Sequence, residues 1–125
     1  MLNPFLHLQI LAFLALAGMS LSEAAAKPQV PDLTKGGRSD GLHDWNLGPT
    51  GARGWIWGWN LETTDSRQIL ITSVSAGSPA DGVLQKGDVI VGVDGRPFTV
   101  DARKSFGAAV TAAETAEKGG TLAVL

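Results

Sequence analysis

Residues Gly77–Phe98 read GSPADGVLQKGDVIVGVDGRPF, and this stretch decides the fold. Ser78 followed by a proline is a favourable start for a helix, so we predict a short helix over Pro79–Leu84. The run of β-type residues in Asp88–Val93 predicts a strand. Asp94-Gly95, directly after it, is typical of a tight turn between two strands. The stretch therefore predicts a short helix, a strand and a turn in that order.

The segments on either side predict further strands and a long helix. Apolar residues at helical spacing predict a helix over Val100–Glu117, which Thr99 caps and Gly119-Gly120 ends. The residues at this spacing are Phe106, Ala109, Val110 and Ala113. The predicted strands outside the opening stretch are His43–Leu47, Gly54–Asn60, Gln68–Val74 and Thr121–Leu125. This order favours an α+β fold: a half-open β-barrel of five to six strands capped by one short and one long helix.

The composition excludes several classes of function. The chain has 125 residues, no cysteine and a formal net charge of −2. A basic nucleic-acid-binding face, a disulfide framework and cysteine-ligated zinc are therefore excluded. His43 is the one histidine outside the first 26 residues, and no nucleophile lies at a spacing typical of a catalytic triad with it and Asp44. We expect no catalytic residue, no metal, no cofactor and no enzymatic activity.

The first 26 residues predict a secretory signal peptide. Phe5–Leu21 is mostly apolar, and Ala24-Ala25-Ala26 offers a small-residue cleavage site before Lys27. The apolar run is short for a membrane span and polar residues interrupt it. No Lys or Arg precedes it, which leaves an uncleaved anchor or a wrongly assigned start codon as alternatives. With cleavage, we expect an exported protein, periplasmic or secreted, that has no membrane association.

A linker and one domain follow the predicted signal peptide. Lys27–Gly41 contains two prolines and a Gly-Gly pair without apolar periodicity, which is typical of a flexible linker. Residues 42–125 then form one domain. The sequence stops at Leu125 soon after its last predicted strand begins. We therefore expect a truncated chain from which a large downstream domain is missing.

Three blocks of the domain resemble one family. They are Gly77–Ala80, Val83–Ile90 and Val93–Phe98, and they resemble the G-S-P-A, L-x-x-G-D-x-I and hydrophobic-Asp-Gly segments of PDZ domains. The similarity is closest to PDZ domains of bacterial HtrA-type and tail-specific proteases, and it covers residues 42–125. It implies a PDZ-like half-open barrel and favours the N-terminal module of a longer exported bacterial protein.

The resemblance implies that the domain binds the C-terminal ends of partner proteins or peptides. In PDZ domains a loop of backbone N–H groups before the second strand holds the terminal carboxylate. The peptide then adds as a strand between that second strand and the long helix. Arg53 is placed to supply a cation beside the carboxylate. The residues that match the loop and strand are Gly51, Ala52, Arg53, Gly54, Trp55, Ile56, Trp57 and Gly58. The matching helix residues are Ser105, Phe106 and Ala109.

One position departs from the family pattern. Trp57 stands where a second glycine follows the hydrophobic residue, and the glycine comes one residue later, at Gly58. In one alignment Ile56 lines the pocket for the last side chain of the ligand. In the other alignment Trp55 and Trp57 line it.

Tryptophans lie at every second residue, at Trp55, Trp57 and Trp59, so in a strand their indoles share one face. Either Ile56 faces the core with the indoles outside, or Trp55 and Trp57 face the core, or a bulge splits the set. An exposed row would imply a partner and gives a second function hypothesis, a glycan- or domain-docking module that binds no peptide. Indoles packed under the linker or against a following domain would have no such function.

Overall fold

A computed structural model of the protein describes residues 27–115 and 120–125. The predicted signal peptide lies outside these residues. So do Glu117 and Gly119 of the predicted long helix, although that helix already ends at Ala113, with Glu114 as its cap. The strands are β1 (Asp44–Asn46), β2 (Ala52–Trp55), β3 (Ile69–Val74), β4 (Val89–Ile90), β5 (Gly92–Val93) and β6 (Arg96–Pro97), and the helix is α1 (Ala102–Ala113). All strand pairs are antiparallel, in one sheet of order β1-β2-β3-β4 and a second sheet of β5 and β6. The α+β class is confirmed, whereas the described strands do not close into a barrel.

The strand β3 lies at the centre of the larger sheet and was correctly predicted. Its side chains alternate, and Ile69 and Ile71 are fully buried on the face that packs against α1 and the second sheet. β2 pairs with it through a bulge between Arg53 and Gly54. The predicted strand Gly54–Asn60 therefore begins two residues earlier than expected and ends at Trp55. After Trp55, the described part of this segment has one isolated β-bridge, between Trp59 and Glu62.

The predicted strand Asp88–Val93 is divided in two. β4 pairs with β3 in the larger sheet, whereas β5 pairs with β6 in the second sheet. The predicted Asp94-Gly95 turn joins β5 to β6 and is confirmed. Asp94 and Gly95 have positive φ angles, 52° and 74°, as two-residue hairpin turns require. The last predicted strand runs beside β5 with a single bridge, Val93 to Val124. Backbone bonds from Leu125 to Gly92 and from Val91 to Leu125 accompany that bridge.

Both predicted helices require correction. α1 begins at Ala102 rather than at Val100, because the Asp101 carboxylate, and not Thr99, caps it by accepting from the Lys104 amide. No helix forms over Pro79–Leu84. Gly82 has a φ of 80°, which ends any right-handed helix, so this segment is a series of turns. Among the described residues, one helix therefore covers the sheet instead of two.

The core lies between the larger sheet, α1 and the β5–β6 pair. Leu47, Ala52, Ile56, Ile69, Ile71, Ala80, Ile90, Phe98, Ala102 and Phe106 form its buried cluster. Trp45 and Val110 are partly buried against this cluster. Members of the cluster come from β2, β3, β4, α1 and the segments that connect them, and Leu47 directly follows β1, so the same packing holds these strands and the helix together.

Two glycine positions test this packing. In Gly92→Ala the added Cβ would lie 2.0 Å from the Arg96 carbonyl oxygen, which belongs to the paired strand and cannot move aside without breaking the hairpin. We expect its free energy of unfolding to fall by roughly 1–3 kcal/mol or more. In Gly107→Ala the Cβ meets no atom within 4 Å, and alanine stabilises a helix interior by about 1 kcal/mol over glycine. Urea unfolding should give shifts of opposite sign, and shifts of the same sign would contradict the packing described.

Candidate functional site

The glycine-rich loop before β2 is internally bonded. A 3₁₀ turn over Gly48–Thr50 is followed by Gly51, and the two glycines have φ angles of 70° and 78°. The Gly51 amide donates to the Gly48 carbonyl at 3.3 Å, and the Ala52 amide donates to Thr50 Oγ1 at 3.1 Å. Two amides that the resemblance assigns to a ligand carboxylate therefore have acceptors within the loop.

The outer edge of β2, which the resemblance implies is open, is paired with β1. Trp45 lies opposite Gly54 in this antiparallel pair. The Leu47 amide donates to the Ala52 carbonyl at 3.0 Å, and the Ile56 amide donates to the His43 carbonyl at 3.2 Å. β2 thus has β3 on one side and β1 on the other. In the structure, a further strand has no free edge of β2 to join.

Arg53 forms an ion pair with β1. Its Nε donates to Asp44 Oδ2 at 2.5 Å, and its Nη2 donates to the Asp44 carbonyl oxygen at 3.3 Å. The Thr72 hydroxyl also donates to the Asp44 carboxylate and lowers the pKa of Asp44 most. Partial burial opposes this lowering, and Arg53 adds to it, so the pKa of Asp44 lies below its usual value. The cation predicted for a ligand carboxylate is therefore held by a carboxylate of the same chain.

The lowered pKa of Asp44 should make stability depend on pH in the acid range. A carboxyl whose folded pKa lies below its unfolded value of about 3.9 stabilises the fold above that value. This stabilisation is lost as the pH falls through the folded pKa. We expect Asp44→Asn to lower the free energy of unfolding near neutral pH and to make it fall less steeply below about pH 4.

Urea unfolding at a series of acid pH values measures this difference. Asp94→Asn provides a matched control, because it removes an exposed carboxylate that makes none of the Arg53–Asp44–Thr72 contacts. Parallel curves for the wild type and Asp44→Asn would contradict the role assigned to the Arg53–Asp44–Thr72 contacts.

The tryptophans lie on the face of the sheet opposite the core. Ile56 is fully buried in the core cluster, whereas Trp55 lies opposite Asp44 and Leu70 on the outer face. Trp57 lies beside Trp55 on this face, because both indoles line one cavity together with Val30–Leu33. Of the three arrangements predicted from the sequence, the one with Ile56 inside therefore holds. Trp59 is partly buried and its backbone pairs with Glu62.

The two indoles are nevertheless not exposed. Trp55 and Trp57 are only 3% and 8% exposed, because Val30–Leu33 packs over them. A cavity of about 240 Å³ remains between this segment and the indoles. Trp55 and Trp57 therefore do not form the exposed tryptophan row that a glycan-docking surface needs. The sequence had left open that the linker covers them, and this is the arrangement found.

The covering segment, residues 27–41, is called the N-terminal strap below. It was predicted as a flexible linker, but it makes polar contacts with three parts of the domain. Gln68 accepts from the Leu33 amide at 2.7 Å and donates to Asp32 at 2.8 Å. The Trp55 indole N–H donates to Asp40 at 2.6 Å. Lys27 forms an ion pair with Asp65. These partners lie far apart in the sequence, so composition alone could not identify them.

Loosening the N-terminal strap should expose the indoles. Gln68→Ala removes both bonds to the strap, and we expect faster acrylamide quenching and a red shift of tryptophan fluorescence. Gln85→Ala changes an exposed glutamine elsewhere and serves as the matched control. Identical quenching of the two variants would contradict the covering role of the strap.

The helix wall of the predicted groove is only partly as expected. Phe106 is 3% exposed and belongs to the core, whereas Ser105 and Ala109 are partly buried. The larger concave surface on α1 is formed by Phe106, Val110 and Ala113, so it includes Phe106 but neither Ser105 nor Ala109. Gly58 is buried beside Glu62 and His43 in the loop after β2 and does not line this surface.

A cavity of about 370 Å³ opens between the glycine-rich loop and α1, and we call it the loop–helix cavity. Residues from the loop, from α1, from the turns that replace the short helix and from the C-terminal segment 120–124 line it. They include Pro49, Thr50, Val83, Leu84, Phe106, Val110 and Ala113. Pro49, Thr50 and Val110 were not predicted as site residues. Val110 belongs to the apolar residues at helical spacing in the sequence. No sequence signal, however, indicated that the turns of Pro79–Leu84 lie beside it.

Residues 27–115 and 120–125 contain no group of acidic or histidine side chains that could hold a metal ion. His43 Nδ1 lies 3.0 Å from Asp40 Oδ2 in the strap, away from the loop–helix cavity. In the same part of the chain, no helix has the length and apolar character needed to span a bilayer.

The PDZ domain model matches residues 49–122, more than half of the chain, so the protein belongs to the PDZ family. PDZ domains are generally non-catalytic modules that bind peptides or proteins. No curated protein matches the chain, and neither does any solved structure.

Proposed function

We propose that the chain is an exported PDZ module that captures the C-terminal ends of partner proteins at its glycine-rich loop. The observation that carries this proposal is the loop–helix cavity, where apolar side chains of α1 face the loop across about 370 Å³. An apolar side chain that ends in a carboxylate would bury its apolar part against Phe106 and Val110. The carboxylate would then lie beside the glycine-rich loop, where the Gly51 and Ala52 amides would exchange their acceptors within the loop for the anion.

The remaining parts of the proposal rest on the sequence. The apolar stretch and small-residue site before Lys27 support export, to the periplasm or outside the cell. The blocks Gly77–Ala80 and Val83–Ile90 support a relationship to the PDZ domains of bacterial HtrA-type and tail-specific proteases. The partners proposed are therefore proteins or peptides of the same compartment.

Docking through a tryptophan row is the weaker alternative. It needs exposed indoles, and the strap covers Trp55 and Trp57.

The proposal is tested with the purified protein and short peptides that end in leucine or valine, each as a free acid and as an amide. We expect saturable binding of the free acids, followed by tryptophan fluorescence, and much weaker binding of the amides. Val110→Asp places a charge in the loop–helix cavity and should weaken binding by more than about tenfold.

Thr111→Asp is the matched control, because Thr111 is the exposed neighbour of Val110 on α1 and does not line the cavity. Its binding should equal that of the wild type. Equal binding of acids and amides, or equal effects of the two variants, would contradict capture of a C-terminus at this cavity.

A further inference from the structure

β1 occupies the edge of β2 where an added peptide strand would pair. It runs antiparallel to β2, and the Leu47 amide donates to the Ala52 carbonyl at 3.0 Å. Strand addition needs unpaired backbone groups on the receiving edge, and β1 uses those groups. The pairing extends past β1, because the Ile56 amide donates to the His43 carbonyl. The protein's own chain therefore stands in the place of a ligand.

The side chains of β1 also occupy ligand positions. Trp45 and Leu47 point to the core side, whereas Asp44 and Asn46 are exposed. Leu47 is 6% exposed and belongs to the core cluster next to the loop. The Arg103 guanidinium of α1 lies 4.5 Å from the centroid of the Trp45 ring. β1 thus presents an aromatic residue, a spacer and a leucine to the groove between β2 and α1.

The fit of β1 is incomplete. Trp45 Nε1 is buried and has no hydrogen-bond acceptor among the described residues, which is costly for an indole N–H. β1 is also only three residues long. The chain continues from Leu47 into Gly48, so β1 has no terminal carboxylate for the loop. A peptide that ends at this point would supply one, with charge-assisted bonds that β1 cannot make.

We infer that β1 is an internal ligand and that a partner binds by replacing it. The partner is a peptide that carries an aromatic residue two positions before a C-terminal leucine or similar apolar residue. This inference rests on the proposed function and specifies its ligand.

A disulfide that locks β1 tests the inference. Asn46 and Arg53 are exposed partners in the register. The neighbouring pair, Leu47 and Ala52, is hydrogen-bonded, so Asn46 and Arg53 form a non-hydrogen-bonded pair. Pairs of this kind have Cα separations of about 4.5 Å, which a disulfide can span. The chain has no cysteine, so Asn46→Cys/Arg53→Cys introduces the two thiols of one bridge. The reduced form of the same protein is the matched control.

The probe is the free-acid peptide LHDWNL, the sequence of residues Leu42–Leu47. We expect the reduced protein to bind it and the oxidised protein to bind it more than about tenfold more weakly, because the competent state is no longer populated. The same peptide with alanine in place of tryptophan should bind less well. Equal affinity of the oxidised and reduced proteins would overturn the inference and leave capture at the loop–helix cavity standing.

Amide hydrogen exchange of the wild-type protein tests β1 without any peptide. The Leu47 and Ile56 amides bridge β1 and β2, and we expect them to exchange at least about tenfold faster than the Ile71 amide of β3, through local opening. Equal exchange would mean that β1 leaves only on global unfolding, which would overturn the inference. Failure of the wild type to bind any free acid would instead overturn the proposed function.

Discussion

The alternation of side chains along Ala52–Trp57 is the constraint on which the rest of the structure depends. Ala52, Gly54 and Ile56 face the core, so Arg53, Trp55 and Trp57 must face outward. Two indoles on an outer face need a cover, and the strap supplies it. A cation on the same face needs a partner, and Asp44 of β1 supplies it. The covering strap and the Arg53–Asp44 ion pair therefore both follow from the alternation of side chains along Ala52–Trp57.

Gly54 lies between residues that approach β2 from its two neighbouring strands. A Cβ there would lie 2.5 Å from Ile69 Cγ2 and 3.2 Å from Leu47 Cδ1. The missing side chain therefore allows a residue of β3 and a residue next to β1 to pack against each other across β2. Close packing of this kind explains how a strand as short as β1 joins the core, and why the glycine-rich loop has a fixed position beside α1.

The parts of the fold that depend on local signals could be predicted from the sequence. β3 and the Asp94-Gly95 turn follow from residue type and φ preference. The start of α1 was misplaced because Thr99 and Asp101 are both favourable caps, and only the contact between Thr63 and Asp101 distinguishes them. The closed edge of β2 could not be predicted, because an internal strand and a peptide ligand need the same backbone groups.

The family match and the structural unit do not share a boundary. The match begins at residue 49, whereas β1 and the strap lie before it. A protein trimmed to residues 49–122 would carry an uncovered pair of indoles and an unpaired edge of β2 on the same small sheet. Sheet edges of this kind recruit strands from other molecules, and apolar patches beside them promote the same association. The residues before position 49 thus close the edge of β2 and cover the apolar patch beside it.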